Sequence, residues 1–384
     1  MTVRPRLHAG RPVPRALPLS VCYLPDPPVQ LAEAGRHNSW NSKVPIAAPR
    51  PQPPLLNKPQ LARIRAYQTP SDAMAAWQIF STFGLYLFTI AAMYVATDIS
   101  VWLTLALSAP AAGLIVRIFM LQHDCGHNAL FRSARFNWFA GGACSLVTLT
   151  PFAYWRRLHA RHHGMWNNLD KRGIPADFYS DCLTLAEYRA LGPARRWLYR
   201  TTHHPLLIHM VLPSVIFMVL YRLPFDTPRS CRREHLSVYL LNFSLVGVFT
   251  TLVLTFELSD VLLVHLPSIA LAATIGIWLF SVQHRFEEAQ WTRQQDWNLP
   301  QAALHGTSYL KLPRVLQWFS GNIGFHHMHH LRPGIPNYRL QASHEECPDI
   351  SGAATVLTLR DALRAPSFVL WDEDLEQMVP FPSR

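Results

Sequence analysis

Four apolar runs, each long enough to cross a lipid bilayer, constrain the fold of this chain more than any other feature of its sequence. A membrane-spanning helix needs about 20 apolar residues, and residues 75–97, 100–121, 236–256 and 261–281 each supply such a length. Backbone N–H and C=O groups inside lipid must bond to each other, so isolated spans have to be helical. The sequence therefore predicts an all-α integral membrane protein with four transmembrane helices.

The connections within each pair of runs predict two helical hairpins and their orientation. Asp98 lies in the first connection and residues 257–260 form the second, and neither connection contains Lys or Arg. Basic clusters around Arg156 and Arg233 flank the opposite ends of the runs. Because Lys and Arg concentrate on the cytoplasmic side of membranes, we expect both tight connections outside and both chain termini inside.

The charge composition fits a membrane protein and argues against nucleic-acid binding. Only 15% of the residues are charged, whereas ordinary soluble domains carry about 25%. The net charge is +11, but no motif that combines basic and aromatic residues accompanies it. The basic clusters are therefore interpreted as flanks that lie beside anionic lipid headgroups.

Nine histidines in four small groups are the main functional signal. On a helix, residues i, i+3 and i+4 share one face, so a group of two or three can direct its imidazoles at one point. The groups consist of His123 and His127; His159, His162 and His163; His284 alone; and His326, His329 and His330. Together they offer about twice the ligands that a single metal takes, which predicts two metal ions.

The ligand type narrows the choice of metal. Imidazole without thiolate suits zinc, copper, iron or nickel, and the six cysteines are scattered without a CxxC pair. Cys125 and His327 lie among the histidines but point off the shared helical faces, so neither is expected to be a ligand. Nine imidazoles exceed one tetrahedral zinc site, and a histidine-rich dinuclear iron site fits their number better.

Two shorter apolar runs, residues 138–152 and 206–221, are expected to be interfacial or re-entrant segments. Both fall short of the roughly 20 residues that a span needs. If residues 206–221 crossed the bilayer alone, His284 would lie on the opposite side from His159. For the histidines to meet at one metal centre, all of them must lie on the same side of the bilayer. The sequence therefore predicts two spanning hairpins with a cytoplasmic di-metal cap on that side. The spans that precede His123 and His284 are expected to extend past the membrane and carry these ligands.

The chain is expected to divide into three parts. Residues 1–60 contain 13 of the 31 prolines together with many arginines, a composition that predicts a disordered N-terminal extension. This segment lacks the apolar region of a secretory signal. Residues 61–375 contain all the long apolar runs and the nine histidines, and residues 376–384 are expected to form a C-terminal tail.

Three of the histidine groups resemble the histidine boxes of the membrane fatty acid desaturases. They read HDCGH at 123–127, HARHH at 159–163 and HHMHH at 326–330. Longer stretches are similar to the bacterial acyl-lipid desaturases, namely WNNLDKRG at 166–173, VQHRFEEAQW at 282–291 and YLKLPRVLQWFSGNIGFHHMHHLRPGIPNY at 309–338. Since the resemblance covers roughly residues 70–375, the part from 61 to 375 is identified as a membrane fatty acid desaturase domain.

The resemblance implies an O₂-dependent di-iron oxidoreductase that introduces a cis double bond into the fatty acyl chains of membrane lipids and reduces O₂ to water. It implies that the nine histidines bind two iron ions, with His284 as the additional ligand ahead of the third box. Asp124, Asp170 and Glu287 are candidates to hold the outer N–H groups of ligand rings. Asn322 is a candidate for the asparagine that family structures carry near the metal. The broader likeness favours Δ12 or ω-6 placement of the double bond.

The resemblance also implies partners and a location. The sequence contains no HPGG haem-binding signature, so electrons are expected from a separate ferredoxin-like carrier or cytochrome b5. The substrates would be acyl chains of membrane lipids, and the expected location is the bacterial inner membrane with the histidine boxes on the cytoplasmic side. No nucleic-acid partner is expected, and the sequence predicts no particular oligomeric state.

Two other functions remain compatible with a histidine-rich membrane protein. A di-iron membrane hydroxylase or ketolase acting on an alkane, sterol or carotenoid would share the metal scaffold and differ in the fate of the substrate. A metal transporter would place its metal-binding polar residues inside the bilayer, whereas these histidines follow the spans. Product analysis distinguishes a hydroxylase or ketolase from a desaturase, because the alkene product of a desaturase carries no new oxygen.

Overall fold

The computed structural model describes residues 56–173, 179 and 181–383, and these residues form a mostly helical membrane fold. The described α-helices, in chain order, are α1 (Lys58–Arg65), α2 (Asp72–Thr97), α3 (Val101–Gly126), α4 (Ala134–Thr148), α5 (Phe152–Met165), α6 (Leu185–Ala190), α7 (Pro193–Thr202), α8 (Leu212–Met218), α9 (Arg232–Thr255), α10 (Leu258–Val282), α11 (Leu299–His305), α12 (Arg314–Phe319), α13 (His326–Leu331), α14 (Asn337–Glu345), α15 (Pro348–Ser351) and α16 (Leu359–Arg364). Short 3₁₀ turns cover Leu220–Arg222 and Ala365–Ser367, and a π-helical turn covers Leu207–Val211.

The four helices predicted to span the membrane are confirmed as α2, α3, α9 and α10, with 26, 26, 24 and 25 residues. Each is long enough to cross a hydrocarbon core of about 30 Å at 1.5 Å per residue. Ser71 caps the start of α2 by accepting a hydrogen bond from the N–H of Met74. Only residues 98–100 separate α2 from α3, and residues 256–257 separate α9 from α10, so the two predicted hairpins are present.

Helix α3 is the best buried of the four spans, and it packs between α2, α10 and α4. A Cβ atom on Gly113 would lie 2.8 Å from the ring of Phe319, so glycine allows α12 to approach α3 closely. Arg117 lies buried in the same helix, where its Nε donates to Thr82 Oγ1 at 3.2 Å and its guanidinium stacks 4.0 Å from the ring centroid of Trp318. Its Nη1 also donates to the carbonyl of Trp318. These contacts hold the segment before the third histidine box against a spanning helix.

The two shorter apolar runs form compact helical segments beside the spans. Residues 138–152 are divided between α4 and the start of α5. Residues 206–221 follow α7, and the helical pair Pro193–Thr202 and Leu207–Arg222 is bent by 50°. By length and composition the described residues hold four candidate spans, or five if this bent pair is counted as one.

Five short strands complete the part of the fold that the structure describes. Strands β2 (Ser308–Leu310) and β3 (Thr355–Leu357) pair in parallel. Strand β4 (Leu370–Asp372) pairs in parallel with β1 (Leu183–Thr184) and antiparallel with β5 (Gln377–Val379). Helices α11 to α16 and strands β2 to β5 follow the last span and form a cap, to which β1 is joined through its pairing with β4.

Both ends of the predicted domain differ from the observed elements. Residues 1–55 of the predicted disordered extension lie outside the described residues, and α1 begins at Lys58, just before the predicted boundary at 60. The residues predicted as a tail from 376 onward include β5, whose pairing with β4 continues the fold past 375. The second difference arises because β5 is only three residues long, and so short a strand leaves no periodic pattern in the sequence.

Candidate metal centre

The nine histidines predicted as ligands come from four elements that meet at one end of the spans. His123 lies in the last turn of α3 and His127 caps that helix, as the HxxxH spacing predicts. Helices α5 and α13 carry the HxxHH groups. His284 differs from expectation, because α10 ends at Val282 and the residue lies in the turn that follows. Its backbone N–H donates to the carbonyl of Ser281 at 3.1 Å, which fixes that turn.

Five of the imidazoles form the first group. His123, His127, His159, His163 and His329 each offer a ring nitrogen, and these nitrogens all lie within 4.8 Å of one another. The Nε2 atoms of His163 and His159 are 3.1 Å apart, and those of His163 and His329 are 3.0 Å apart. Three separate elements therefore direct nitrogens at one point.

The other four imidazoles form the second group. The ring nitrogens of His162, His284 and His330 also lie within 4.8 Å of one another. The Nε2 atom of His284 is 3.1 Å from that of His162, 3.0 Å from that of His330 and 3.2 Å from that of His326. The contact between His162 and His284 also places the second box and His284 on the same side of the spans, as expected if all the histidines serve one metal centre.

The hydrogen bonds around these rings fit metal binding. The Nδ1–H of His284 donates to the carbonyl of Phe280 at 2.7 Å, so its Nε2 presents a lone pair to the three surrounding Nε2 atoms. Neutral imidazoles fixed in this tautomer would direct their lone pairs at each other, which is favourable only with a cation between them. In the first group, the buried Nε2 of His127 has no hydrogen-bond partner in the described part of the chain. Both groups therefore fit a metal ion.

Burial favours the neutral form, which can coordinate a metal, in seven of these imidazoles. Seven of the nine have 8% or less of their surface exposed, with none exposed at His284, and His127 and His163 are half-buried. Burial, with repulsion from neighbouring imidazoles as a smaller cause, lowers the pKa of most of these rings well below the usual range of histidine, namely that of His127, His159, His163, His284, His326, His329 and His330. A neutral imidazole is the form that binds a metal.

A carboxylate and an amide that lie behind His123 join three elements. Oδ1 of Asp124, predicted as an outer-shell carboxylate, lies 3.4 Å from His123 Nδ1. Its Oδ2 accepts from the backbone N–H and the Nδ2 of Asn337 at 2.7 and 2.9 Å. Gln78 of α2 completes the network by bonding to the Asn337 amide at 3.0 Å. The sequence did not identify Asn337 as a supporting residue. Its only signal was its position within residues 309–338, which are similar to the bacterial acyl-lipid desaturases.

The other three residues predicted to support the ligands lie in different environments. Asp170 pairs with Arg293 at the surface, at 2.9 Å, and accepts from the backbone of Gln294. Glu287 is exposed. Asn322 has a positive φ of 59° and bonds to Gln317 and to the carbonyl of Asn337, which makes it a turn residue. Within the described part of the chain, none of these three side chains forms a hydrogen bond with a ring of the nine histidines, and their supporting role stays a prediction.

Aromatic rings pack against the clustered histidines, and a further histidine pair lies outside them. Trp155 stacks on His159 with ring centroids 4.6 Å apart, and Trp166 meets His284 edge-on at 4.3 Å. Both contacts restrict the orientation of a ligand ring. His327, which the helical spacing left out, instead bonds to His344 Nδ1 at 3.0 Å, outside both groups.

A narrow apolar cavity of about 120 Å³ leads from the histidines between α3 and α10. His123, His159, His162 and His326 line one end. The α10 wall extends back to Ile269, which is 15 residues before His284 and therefore about 22 Å along a helix. Small residues Ala272, Ala273 and Gly276 face the cavity on that wall. The arrangement can hold one extended apolar chain in contact with the clustered histidines.

Comparisons with known proteins agree with this geometry. A sequence profile of the family described as "Fatty acid desaturase" matches residues 100–358, which include all nine histidines. A protein of Bacillus subtilis (strain 168) described as "Fatty acid desaturase" is 36% identical over 319 residues, which cover 83% of this chain and 89% of that protein.

More distant relatives carry more specific descriptions. An "sn-1 oleoyl-lipid 12-desaturase" of Picosynechococcus sp. is 27% identical and is matched over 59% of this chain and 63% of its own length. An "Omega-6 fatty acid desaturase, chloroplastic" of Glycine max is 24% identical and is matched over 68% of this chain and 58% of its own length. The chain thus spans less than two thirds of the length of these two relatives.

Proposed function

Because this chain belongs to the fatty acid desaturase family, we propose that it uses two iron ions and O₂ to introduce a cis double bond into the acyl chains of membrane lipids. The observation that carries the proposal is the apolar cavity that ends at His123, His159, His162 and His326. It would place a methylene chain beside both histidine groups. The overall change removes two hydrogen atoms from adjacent methylenes and, with two electrons from a donor and two protons, reduces O₂ to two waters.

The nine histidines are proposed as the iron ligands. The first group would hold one iron and the second group, completed by His326, would hold the other. Irons bound there would supply the reduction of dioxygen needed to remove hydrogen from an unactivated methylene. Their ligand rings are supported from outside, since Phe280 holds the Nδ1–H of His284 and Asp124 lies beside His123 Nδ1.

The chain's own residues would position the substrate and exclude water. Phe119 and Phe280 line the cavity near the histidines, and Ile115 and Ile277 line it further from them. An apolar wall favours a methylene chain over a polar one, at about 25 cal/mol for each Å² of apolar surface removed from water. The narrow bore would keep the chain extended, so that one pair of adjacent methylenes lies against the ligand cluster.

The position of the double bond is proposed as Δ12 or ω-6. Support comes from the relatives described as a 12-desaturase and an omega-6 desaturase. We further propose the bacterial inner membrane as the location, with the histidines on the cytoplasmic side, where Lys and Arg concentrate. A ferredoxin-like protein or cytochrome b5 would deliver electrons to this side, and the basic charge of the chain favours an acidic donor.

Expression in a host that lacks desaturases, followed by mass spectrometry of its lipids, tests the proposal. We expect new alkenes in the membrane lipids, and no label in the lipid after growth under ¹⁸O₂. An ¹⁸O-labelled hydroxyl or ketone on a lipid product would favour the hydroxylase or ketolase instead. Unchanged lipids in cells that contain the iron-loaded protein and a reducing system would contradict the proposed activity.

A further inference from the structure

A second cavity, separate from the histidines, lies between α4, the start of α5 and the first half of α9. Its volume is about 730 Å³, within the range of about 300–1,000 Å³ that is common for pockets holding small molecules. We call it the α4–α9 groove. Trp138 and Leu146 of α4 form one wall, Leu240 of α9 forms the opposite wall, and Phe152 of α5 also lines it.

The groove has the depth of one leaflet of a bilayer. Its α9 wall runs from Arg233 through Leu236 and Leu240 to Ser244. These residues recur at three or four positions, so they share one face of the helix. The eleven residue-to-residue steps from Arg233 to Ser244 correspond to a rise of about 16 Å, close to half of a hydrocarbon core of about 30 Å. One extended acyl chain would fill this depth.

The groove opens toward lipid along its whole length. Leu236 and Leu240 have 55% and 57% of their surface exposed, and Trp138 has 41%. Further along α9, Phe243 and Leu254 are 81% and 83% exposed, so this helix has little protein packed against it. Apolar side chains at this depth need an apolar neighbour, and membrane lipid is the neighbour available there.

The end of the groove nearest the histidines is basic. Arg233 lines the groove in the first turn of α9, and Arg229 and Arg232 lie beside it in the sequence, all three exposed. Because α9 and α10 form a hairpin and α10 ends next to His284, these arginines lie on the histidine side of the spans. Within the described residues, Arg233 forms no ion pair with a carboxylate. A phosphate group at the membrane surface would complement this charge.

Glycine makes the groove wide enough for a chain. A Cβ atom on Gly142 would meet nothing within 4 Å, whereas one on the adjacent Gly141 would lie 2.4 Å from the ring of Phe152. Gly141 therefore serves helix packing, and Gly142 leaves open space in the α4 wall. A side chain larger than hydrogen at position 142 would extend into the volume that the chain needs.

We propose that the α4–α9 groove binds one anionic phospholipid, with its phosphate at Arg233 and one acyl chain between α4 and α9. The bound lipid completes the packing of α9, which the protein leaves exposed. It also contacts Phe152 and Ala153 at the start of α5, the helix that carries the second histidine box. The site lies outside the cavity at the histidines and does not depend on the chemistry proposed for them.

Native mass spectrometry of the full chain in mild detergent, with equal amounts of phosphatidylglycerol and phosphatidylcholine, tests the charge. We expect one phosphatidylglycerol to be retained under conditions that remove phosphatidylcholine. Arg233→Gln should lower the ratio of the two bound lipids about fivefold, the effect of one arginine beside an anionic lipid. Arg314→Gln, at an exposed arginine that lines neither cavity, should leave the ratio unchanged.

Two further measurements test the place of binding. Gly142→Leu should reduce retention of phosphatidylglycerol, whereas Gly84→Leu, at an exposed α2 position with equally open surroundings, should not. A phosphatidylglycerol with a photoreactive acyl chain should label wild-type peptides 138–146 and 236–244, a result that needs no variant to fold. Equal retention of both lipids, labelling spread over other helices, or a second copy of the chain in place of a lipid would overturn the proposal.

Discussion

At the scale of single residues, His284 is the proposed ligand that no histidine-box pattern identifies. Its Nε2 lies 3.0–3.2 Å from three other Nε2 atoms, so it stands at the centre of the second group. Replacing His284 by Ala removes a proposed ligand. We expect activity to fall more than about 100-fold, because even partners outside the ligand shell cost about 10–100-fold.

His327→Ala is the matched control for this substitution. The residue is equally buried in the neighbouring helix but bonds to His344, so iron content should stay near that of the wild type. Iron content measured on both purified variants, alongside the yield of unsaturated lipid, checks the difference. Normal iron and normal desaturation in His284→Ala would show that the residue is not a ligand.

Gly276 is the second residue whose role is specific enough to test. It lines the cavity between α3 and α10, and a Cβ atom there would meet nothing within 4 Å. Gly276→Leu should fill the cavity about 12 Å from His284. We expect desaturation of long acyl chains to fall about tenfold or more, since overpacking costs about 1–3 kcal/mol, while shorter acyl chains are affected less.

The control for Gly276 is Gly247→Leu in α9, where the glycine is exposed and a Cβ would also meet nothing within 4 Å. This variant should keep the chain-length profile of the wild type, which gas chromatography of the cellular lipids would measure. An unchanged profile in Gly276→Leu, with the wild type active, would mean that the acyl chain does not pass this position.

At the scale of elements, helix α4 depends on the small size of Gly141. Because a Cβ atom there would lie 2.4 Å from the ring of Phe152, Gly141→Ala has to displace α5 or the ring. We expect a loss of about 1–3 kcal/mol in the free energy of unfolding, measured as a lower midpoint of thermal unfolding in detergent. Gly84→Ala in α2, where a Cβ atom would meet nothing within 4 Å, should be neutral or stabilise its helix by up to about 1 kcal/mol. Equal midpoints for the two variants would contradict the close approach of α4 and α5.

The two hairpins make a prediction about the orientation of the spans. The connections at Asp98 and at Glu257 lie at the ends of the spans opposite the histidines. In a background without native cysteines, a cysteine at Ser259 should react with a membrane-impermeant maleimide added to intact cells. A cysteine at Lys171, near the second box, should react only after the cells are permeabilised. The reverse pattern of labelling would place the histidines outside.

At the scale of the whole molecule, the two histidine groups predict about two irons per chain in protein purified under iron-replete conditions. Activity should follow iron and not zinc, because zinc has no redox chemistry. Metal analysis and lipid analysis of the same preparations check both expectations. Desaturation by protein that contains only zinc would contradict a redox role for the centre.

The sequence alone determined the spans, the hairpins and most of the histidines that cluster in the structure. Apolar runs of about 20 residues can only be helical in lipid, and HxxxH and HxxHH spacings place imidazoles on one helical face. Such features are local, so His123 with His127, and His159 with His163, could be paired without any knowledge of the fold. The resemblance then added His284, which has no local partner.

Only the tertiary structure decided how the histidines divide and what supports them. His162 is next to His163 in the chain but belongs to the other group, because adjacent residues on a helix point about 100° apart. Asn337 reaches Asp124 across 213 positions, whereas Asp170 turns away to Arg293. Contacts between distant segments depend on how the helices pack, and the spacing of residues along the chain does not determine that packing.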